Sequence, residues 1–242
     1  MKIRAFAFDL GNTLVEYYQR EAFPSILSES IRNAYDVFSN FGSVSLERAQ
    51  AIAITENFEQ PDGKVRLLQK RFDRIFGLAE QTPETVRENA CHAFLQPIFK
   101  CARKYEDSEP TLQMLREKGY KLAIVSNTPW GSPSYLWREE LQRRDLADLI
   151  DASIFCAVGG WGKPVANIFQ RLLQTLDLAA VECIFIGDEP VWDFEGAVAA
   201  GMPAVLIDRI DKHRSHNGMR IRNLEQVMQI LSGRIISDSF TP

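Results

Sequence analysis

Long apolar runs are absent from this chain. Nowhere does it approach the roughly 20 consecutive apolar residues that a membrane-spanning helix needs, so no membrane partner is expected. Met1 to Arg4 lead directly into Ala5-Phe6-Ala7-Phe8, with no small-residue cleavage site of a secretory leader, and cytoplasmic is the expected location. Cysteine is scarce as well. Cys91, Cys101, Cys156 and Cys183 form no C-x-x-C pair, and Cys156 and Cys183 sit in strand-like apolar runs. Reduced core thiols are therefore expected in place of a disulfide frame or a zinc site. An excess of positive charge is also missing: 28 Lys and Arg stand against 32 Asp and Glu, and the net charge of -4 leaves no basic footprint for nucleic acid. No internal repeat or low-complexity tract occurs, and no feature of the pattern specifies an oligomeric state.

What the chain does have is an ordinary globular balance, 45% hydrophobic and 25% charged, over 242 residues. That length suits one large domain or a core with a smaller domain inserted. From about Tyr17 to Tyr105 the periodicity is helical only. One helix is expected through Phe23, Ile31, Ala34 and Phe41 to Gly42, a second over residues 46–58, and a third from Val65 through Phe72 to Gly77. A fourth opens at Thr82-Pro83-Glu84, with Thr82 as N-cap, and runs toward Pro97. After Ser108 strands and helices alternate, with strands at 121–125, 152–158, 183–186 and 203–207 and helices at 135–144, 166–176 and 192–200. Such alternation implies a doubly wound parallel sheet, an α/β fold. Residues 208–218 read as a loop, and Asn223 opens a last helix with Gln226 placed for a capping box.

Four strand ends carry polar groups. Ala5-Phe6-Ala7-Phe8 runs into Asp9, and the strand to Val125 runs into Ser126-Asn127-Thr128. Gly159-Gly160-Trp161-Gly162 precedes Lys163-Pro164, and Cys183-Ile184-Phe185-Ile186 runs into Gly187-Asp188-Glu189, with Asp193 following. Ligands collect at the carboxyl ends of strands in open parallel sheets, so these residues are the candidates for chemistry. Trp130, Trp161 and Trp192 lie near the motifs and are candidate pocket walls, with packing the expected use of at least two.

The order of these motifs resembles the haloacid dehalogenase-like hydrolase superfamily over nearly the whole chain. The resemblance implies a Rossmann-like core at residues 1–16 and 106–242 and a helical cap domain at 17–105, hinged near residues 16–21 and 100–108. It implies Asp9 as nucleophile, with Ser126 and Lys163 as the other catalytic groups, and Asn127, Asn12 and Thr13 in contact with substrate. It also implies a magnesium ion held by Asp9, Asp188, Asp193 and the backbone carbonyl of Gly11. The charges agree, because three carboxylates in one cleft repel unless a cation neutralises them. The activity implied is a phosphatase for a small phosphorylated metabolite, working through an aspartyl-phosphate.

One residue departs from the pattern. Phosphatases of this kind carry a second Asp two residues after the nucleophile as general acid, and here that position is Gly11. Glu16 or a carboxylate of the helical segment is a candidate replacement. Two rival readings follow from the departure. A 2-haloacid dehalogenase uses an Asp nucleophile without the second Asp, although it needs no cation and so leaves Asp188 and Asp193 without a purpose. A catalytically impaired binding protein on the same fold is the other.

Overall fold

A computed structural model describes residues 2–56 and 62–231. Its centre is β1 (Ala5–Phe8), paired in parallel with β4 (Lys121–Ser126) on one side and β6 (Cys183–Gly187) on the other. Beyond β4 lies β5 (Ala152–Phe155), and beyond β6 lie β7 (Ala204–Ile207) and β8 (Arg220–Ile221), giving the order β5-β4-β1-β6-β7-β8 with every pairing parallel. The chain fills one side of β1 first and then crosses to the other. The switch point of the sheet therefore falls at β1, where the residue after Phe8 is Asp9.

Side-chain size alternates along the central strands and assigns the two faces. Ala5, Ala7, Ala123 and Val125 form a shallow face on which α8 (Ala166–Leu176) buries Ile168, Phe169, Leu172 and Leu176. Phe6, Phe8, Leu122 and Ile124 point the other way, into a larger core shared with α5 (Ser108–Glu117) and α6 (Ser134–Arg143). That larger core continues without a break into the helices between β1 and β4, where Phe72 meets Phe38 at 5.5 Å and Phe94 at 5.8 Å between ring centres.

Those helices are α1 (Phe23–Val37), α2 (Leu46–Glu56), α3 (Leu68–Phe76) and α4 (Glu84–Cys101). α1 stops four residues short of Phe41, and the expected end of α2 at Asn57 and Phe58 lies outside the described residues. Thr82 does not cap α4; the N-cap is Pro83, with φ -58° and ψ 140° and no side-chain hydrogen bond to the first turn. α4 also continues through Pro97 to Cys101. Proline removes the N–H that would reach the carbonyl of Ala93, and Asn33 Nδ2 of α1 donates to that carbonyl instead, at 3.4 Å.

Short extended pieces escaped the sequence reading. β2 (Val15–Glu16) and β3 (Arg103–Lys104) pair antiparallel where the chain leaves and rejoins the sheet, β3 falling inside the stretch from Tyr17 to Tyr105 expected to be purely helical. Two residues per strand are too few to show a period, and the same holds for β8. Conversely, the strand expected over 152–158 ends at Phe155, and Cys156 opens the short helix α7 (Cys156–Gly159). Where a helix from Trp192 was expected, a wide π-type turn occupies Pro190–Glu195 before α9 (Gly196–Ala199). After Asn223 the chain makes a short turn and α10 (Val227–Leu231), with Gln226 Oε1 accepting from Arg222 N at 2.6 Å. No helix among the described residues is long and apolar enough to cross a membrane.

Residues 63–65, ahead of α3, strap onto the loop that precedes Lys163. Val65 N donates to Gly160 O at 2.9 Å, Gly162 N donates to Gly63 O at 3.1 Å, and Lys64 pairs antiparallel with Trp161. Gly63 has φ +66°, and a Cβ there would collide with Val165. Gly63→Ala should therefore cost at least about 1–2 kcal/mol, the left-handed penalty alone, in urea denaturation. An unchanged midpoint would mean that the strap does not contribute to stability.

Candidate active site

Each candidate residue is delivered by a strand end or by the turn that follows it. Asp9 leaves β1 with its amide donating to Ile186 O at 2.8 Å, which continues the ladder with β6 and aims the side chain beyond the sheet. Lys163 is held by the backbone. Its N–H donates to Asn127 Oδ1 at 2.8 Å, and its carbonyl accepts from Asn127 Nδ2 at 3.1 Å. Gly162 allows this approach, since a Cβ there would lie 2.9 Å from Asn127 Oδ1. Asn127 thus ties the end of β4 to the lysine loop. The π-type turn turns Asp193 back over the end of β6, where its Oδ2 accepts from Glu189 N at 2.9 Å. Gly187 is required beneath it, because a Cβ at that position would collide with the Asp193 carboxylate.

Lys163 Nζ lies 2.5 Å from Asp9 Oδ1 and 2.5 Å from Asp193 Oδ1, with all three side chains almost wholly buried. Burial works against the ammonium charge, and the Asp193 and Asp9 carboxylates outweigh it, so the lysine pKa is raised. Asp188 completes the group: one oxygen each of Asp9, Asp188 and Asp193 lies within 4.8 Å of the others. Burial, then the charges of Asp9 and Asp193, push the Asp188 carboxyl up to about 8. Burial likewise lifts Asp193 to about 6, against the pull of Lys163. Three carboxylates with one ammonium between them form a site short of positive charge. An all-oxygen donor set, with the Gly11 backbone at the same cavity, suits a hard divalent cation such as magnesium.

The cavity holding this group measures about 180 Å³. Asp9, Gly11, Asn12, Ser126, Asn127, Lys163, Asp188 and Asp193 all line it, so the sheet assembles eight of the nine residues singled out from sequence. Thr13 is the exception. Fully buried and outside the lining, it presents its carbonyl to Arg209 Nη2 at 2.8 Å. Asn12 adopts φ +54°, a left-handed conformation that Asn tolerates better than most residues. Glu16 does not line the cavity, and its Oε1 accepts from Gln19 Nε2 at 2.5 Å. Of the three tryptophans near the motifs, Trp130, Trp161 and Trp192, only Trp192 faces the cavity. Trp130 packs on Phe94 at 5.4 Å between ring centres, and Trp161 lies under the Lys64 ammonium.

The remaining walls are Tyr17, Tyr18 and Ile98 from the helical insertion, Pro129, Trp137 of α6 and Glu189. Sequence reasoning missed these. Tyr17 and Tyr18 follow the first motif closely enough to have been suspects, whereas Ile98 and Trp137 face the cavity only through the way their helices pack.

A doubly wound sheet that gathers an acidic centre and a buried lysine at its switch point defines an α/β protein equipped to hold a cation and an anionic group together. This chain belongs to the haloacid dehalogenase-like hydrolase family, whose model matches residues 3–201. It is 31% identical over 215 residues to the glyceraldehyde 3-phosphate phosphatase of Methanopyrus kandleri, covering 86% of this chain and 84% of that one. It is 33% identical over 130 residues to the phosphoserine phosphatase of Thermus thermophilus, covering 52% of this chain; there it spans about half (49%) of the relative's length. Among solved structures, the HAD phosphatase from Thermococcus onnurineus superposes with a TM-score of 0.66 at 25% identity, covering 97% of this chain and 100% of that one.

The raised Asp188 carboxyl has a measurable consequence. Unfolded it titrates near 3.8 and folded near about 8, so the folded state binds an extra proton between those values. Its contribution to stability is present below the lower value and is lost as pH rises through the upper one. Thermal melts in chelator should fall across this window, and Asp188→Asn should make the fall shallower. Equal slopes for the two proteins would refute the assignment.

Proposed function

We propose that this chain is a metal-dependent phosphohydrolase that cleaves a small phosphate monoester through an aspartyl-phosphate on Asp9. The observation that carries the reading is the Lys163 ammonium bridging Asp9 and Asp193 while Asp188 lies beside them. Dehalogenation would leave the Asp188 and Asp193 pair without a role, and the named phosphatase relatives support the same choice. The composition and net charge support a cytoplasmic enzyme of small molecules, with no nucleic-acid or membrane partner.

Asp9 attacks phosphorus in line with the leaving oxygen, the bond from phosphorus to that oxygen breaks, and the alkoxide departs with the electron pair. Water then attacks the phosphorus of the aspartyl-phosphate, restoring the carboxylate and releasing inorganic phosphate. Lys163 orients Asp9 and offsets the charge gathered on the phosphoryl oxygens, and Ser126 Oγ and the second Nδ2 hydrogen of Asn127 would act as donors to them. Magnesium, bound by Asp9, Asp188, Asp193 and the Gly11 carbonyl, would supply the positive charge the site lacks. The insertion at residues 17–105 serves as a cap on the core formed by 1–16 and 106–242. Its hinge is the β2–β3 ribbon, and its closure would shield the aspartyl-phosphate from bulk solvent.

Asp9→Asn should lower turnover to below a few per cent with an unchanged circular dichroism spectrum; more residual activity would exclude Asp9 as nucleophile. Excess chelator should abolish turnover of the native protein, and full activity there would revive the dehalogenase reading.

Gly11 generates a separate expectation. A positioned general acid contributes on the order of 10² to 10⁴ in rate, and Gly11 has no side chain to supply it. A Cβ at this position would meet only Tyr17 Cδ2, at 3.9 Å, so Gly11→Asp is sterically accommodated at its Cβ. Across aryl phosphates of graded leaving-group basicity the native protein should show a steep dependence, and Gly11→Asp should flatten it by speeding the poorest leaving groups. A shallow native series with no gain from the added Asp would mean that another group already donates the proton.

A further inference from the structure

Apart from the motif residues, the cavity lining is mostly Tyr17, Tyr18, Ile98, Trp137 and Trp192. Among the described residues, Lys163 is the only cationic side chain in the lining, and both of its contacts there are to carboxylates. Glu189 adds another carboxylate to the lining. A substrate bearing a carboxylate or a second phosphate would bring that group into a lining whose other charged side chains are carboxylates, with no free cationic side chain to receive it, which costs both desolvation and like-charge repulsion. The volume sets a second bound. An engineered cavity of about 150 Å³ accepts benzene; the 180 Å³ here is shared with the phosphoryl centre, so a compact alcohol half must reach toward the rim. Trp192 supplies a face for such a group. It stands at the cavity rim with 49% of its surface exposed, on the turn between Glu189 and Asp193, although burial is the usual fate of so large an apolar side chain.

We infer, resting on the phosphohydrolase reading above, that the alcohol half of the substrate is flat or apolar and carries no second negative charge: a phosphate monoester of a ring-bearing alcohol. Phosphorylated hydroxy acids and bisphosphates are disfavoured by the same walls.

The test compares kcat/KM for benzyl phosphate, phosphoglycolate and phosphoserine, all alkyl esters, with acetyl phosphate as a small reference whose leaving group needs little protonation. Benzyl phosphate should exceed both acidic esters by at least about tenfold, a margin that one well-filled apolar pocket supplies. Trp192→Ala should narrow that ratio through KM for benzyl phosphate, with less change in kcat, and Trp192→Arg should move the preference toward phosphoglycolate. Binding gives a second readout without turnover: benzyl phosphate should perturb the tryptophan fluorescence of Asp9→Asn at concentrations where phosphoglycolate does not. If acetyl phosphate is hydrolysed and an acidic ester is preferred, the inference is overturned while the phosphohydrolase reading stands. If none of the four is hydrolysed with magnesium present, that reading fails and the inference falls with it.

Discussion

The ammonium of Lys163, shared between Asp9 and Asp193, is the contact on which the rest of the site depends. Burying one ion pair is costly, and burying a lysine with two carboxylates is tolerable only when geometry and further hydrogen bonds hold every member. The surrounding chain meets that condition. Asn127 clamps the lysine backbone from both sides, Glu189 N binds the free oxygen of Asp193, and Gly162 and Gly187 remove the methyl groups that would block these approaches. Loss of the lysine would leave two buried carboxylates unpaired beside a third, a change in the range of about 3–5 kcal/mol for breaking a buried pair. The same crowding of carboxylates makes the arrangement costly without further positive charge.

The helical insertion is not a loosely attached appendage. Its aromatic interior is continuous with one face of the sheet, and the strap at residues 63–65 is bonded to the loop that carries Lys163. Any movement of the insertion is therefore coupled mechanically to the lysine loop as well as to the β2–β3 ribbon. The cavity walls belong to both parts: Tyr17, Tyr18 and Ile98 on one side, Trp137 and Trp192 on the other. The cavity is thus framed by residues that the sheet alone does not supply.

Legibility in the sequence followed the range of the physics involved. The long amphipathic helix at Ala166–Leu176 could be read to its ends because its apolar stripe repeats over three turns. The strand before Asp9 could be read because burial on both faces demands an unbroken apolar run. Two-residue strands, the Cys156 helix and the π-type turn at Pro190 could not, because each is too short for periodicity and is stabilised by partners distant in sequence. Pro97 marked a helix end by local rules and failed to end one, since Asn33, on another helix, satisfies the carbonyl that proline leaves exposed.

By itself the sequence determined the alternation of strands and helices, the helical character of the insertion, and which polar residues stand at strand ends, because propensity, periodicity and turn chemistry act within a few neighbours. Tertiary structure alone decided that Lys163, 154 residues from Asp9 and 30 from Asp193, touches both. It also decided that Thr13 turns away from the cavity and that Trp137 and Ile98 wall it. Those outcomes depend on how sheet order and helix packing bring remote segments together, and no local pattern of residues encodes a distance of that kind.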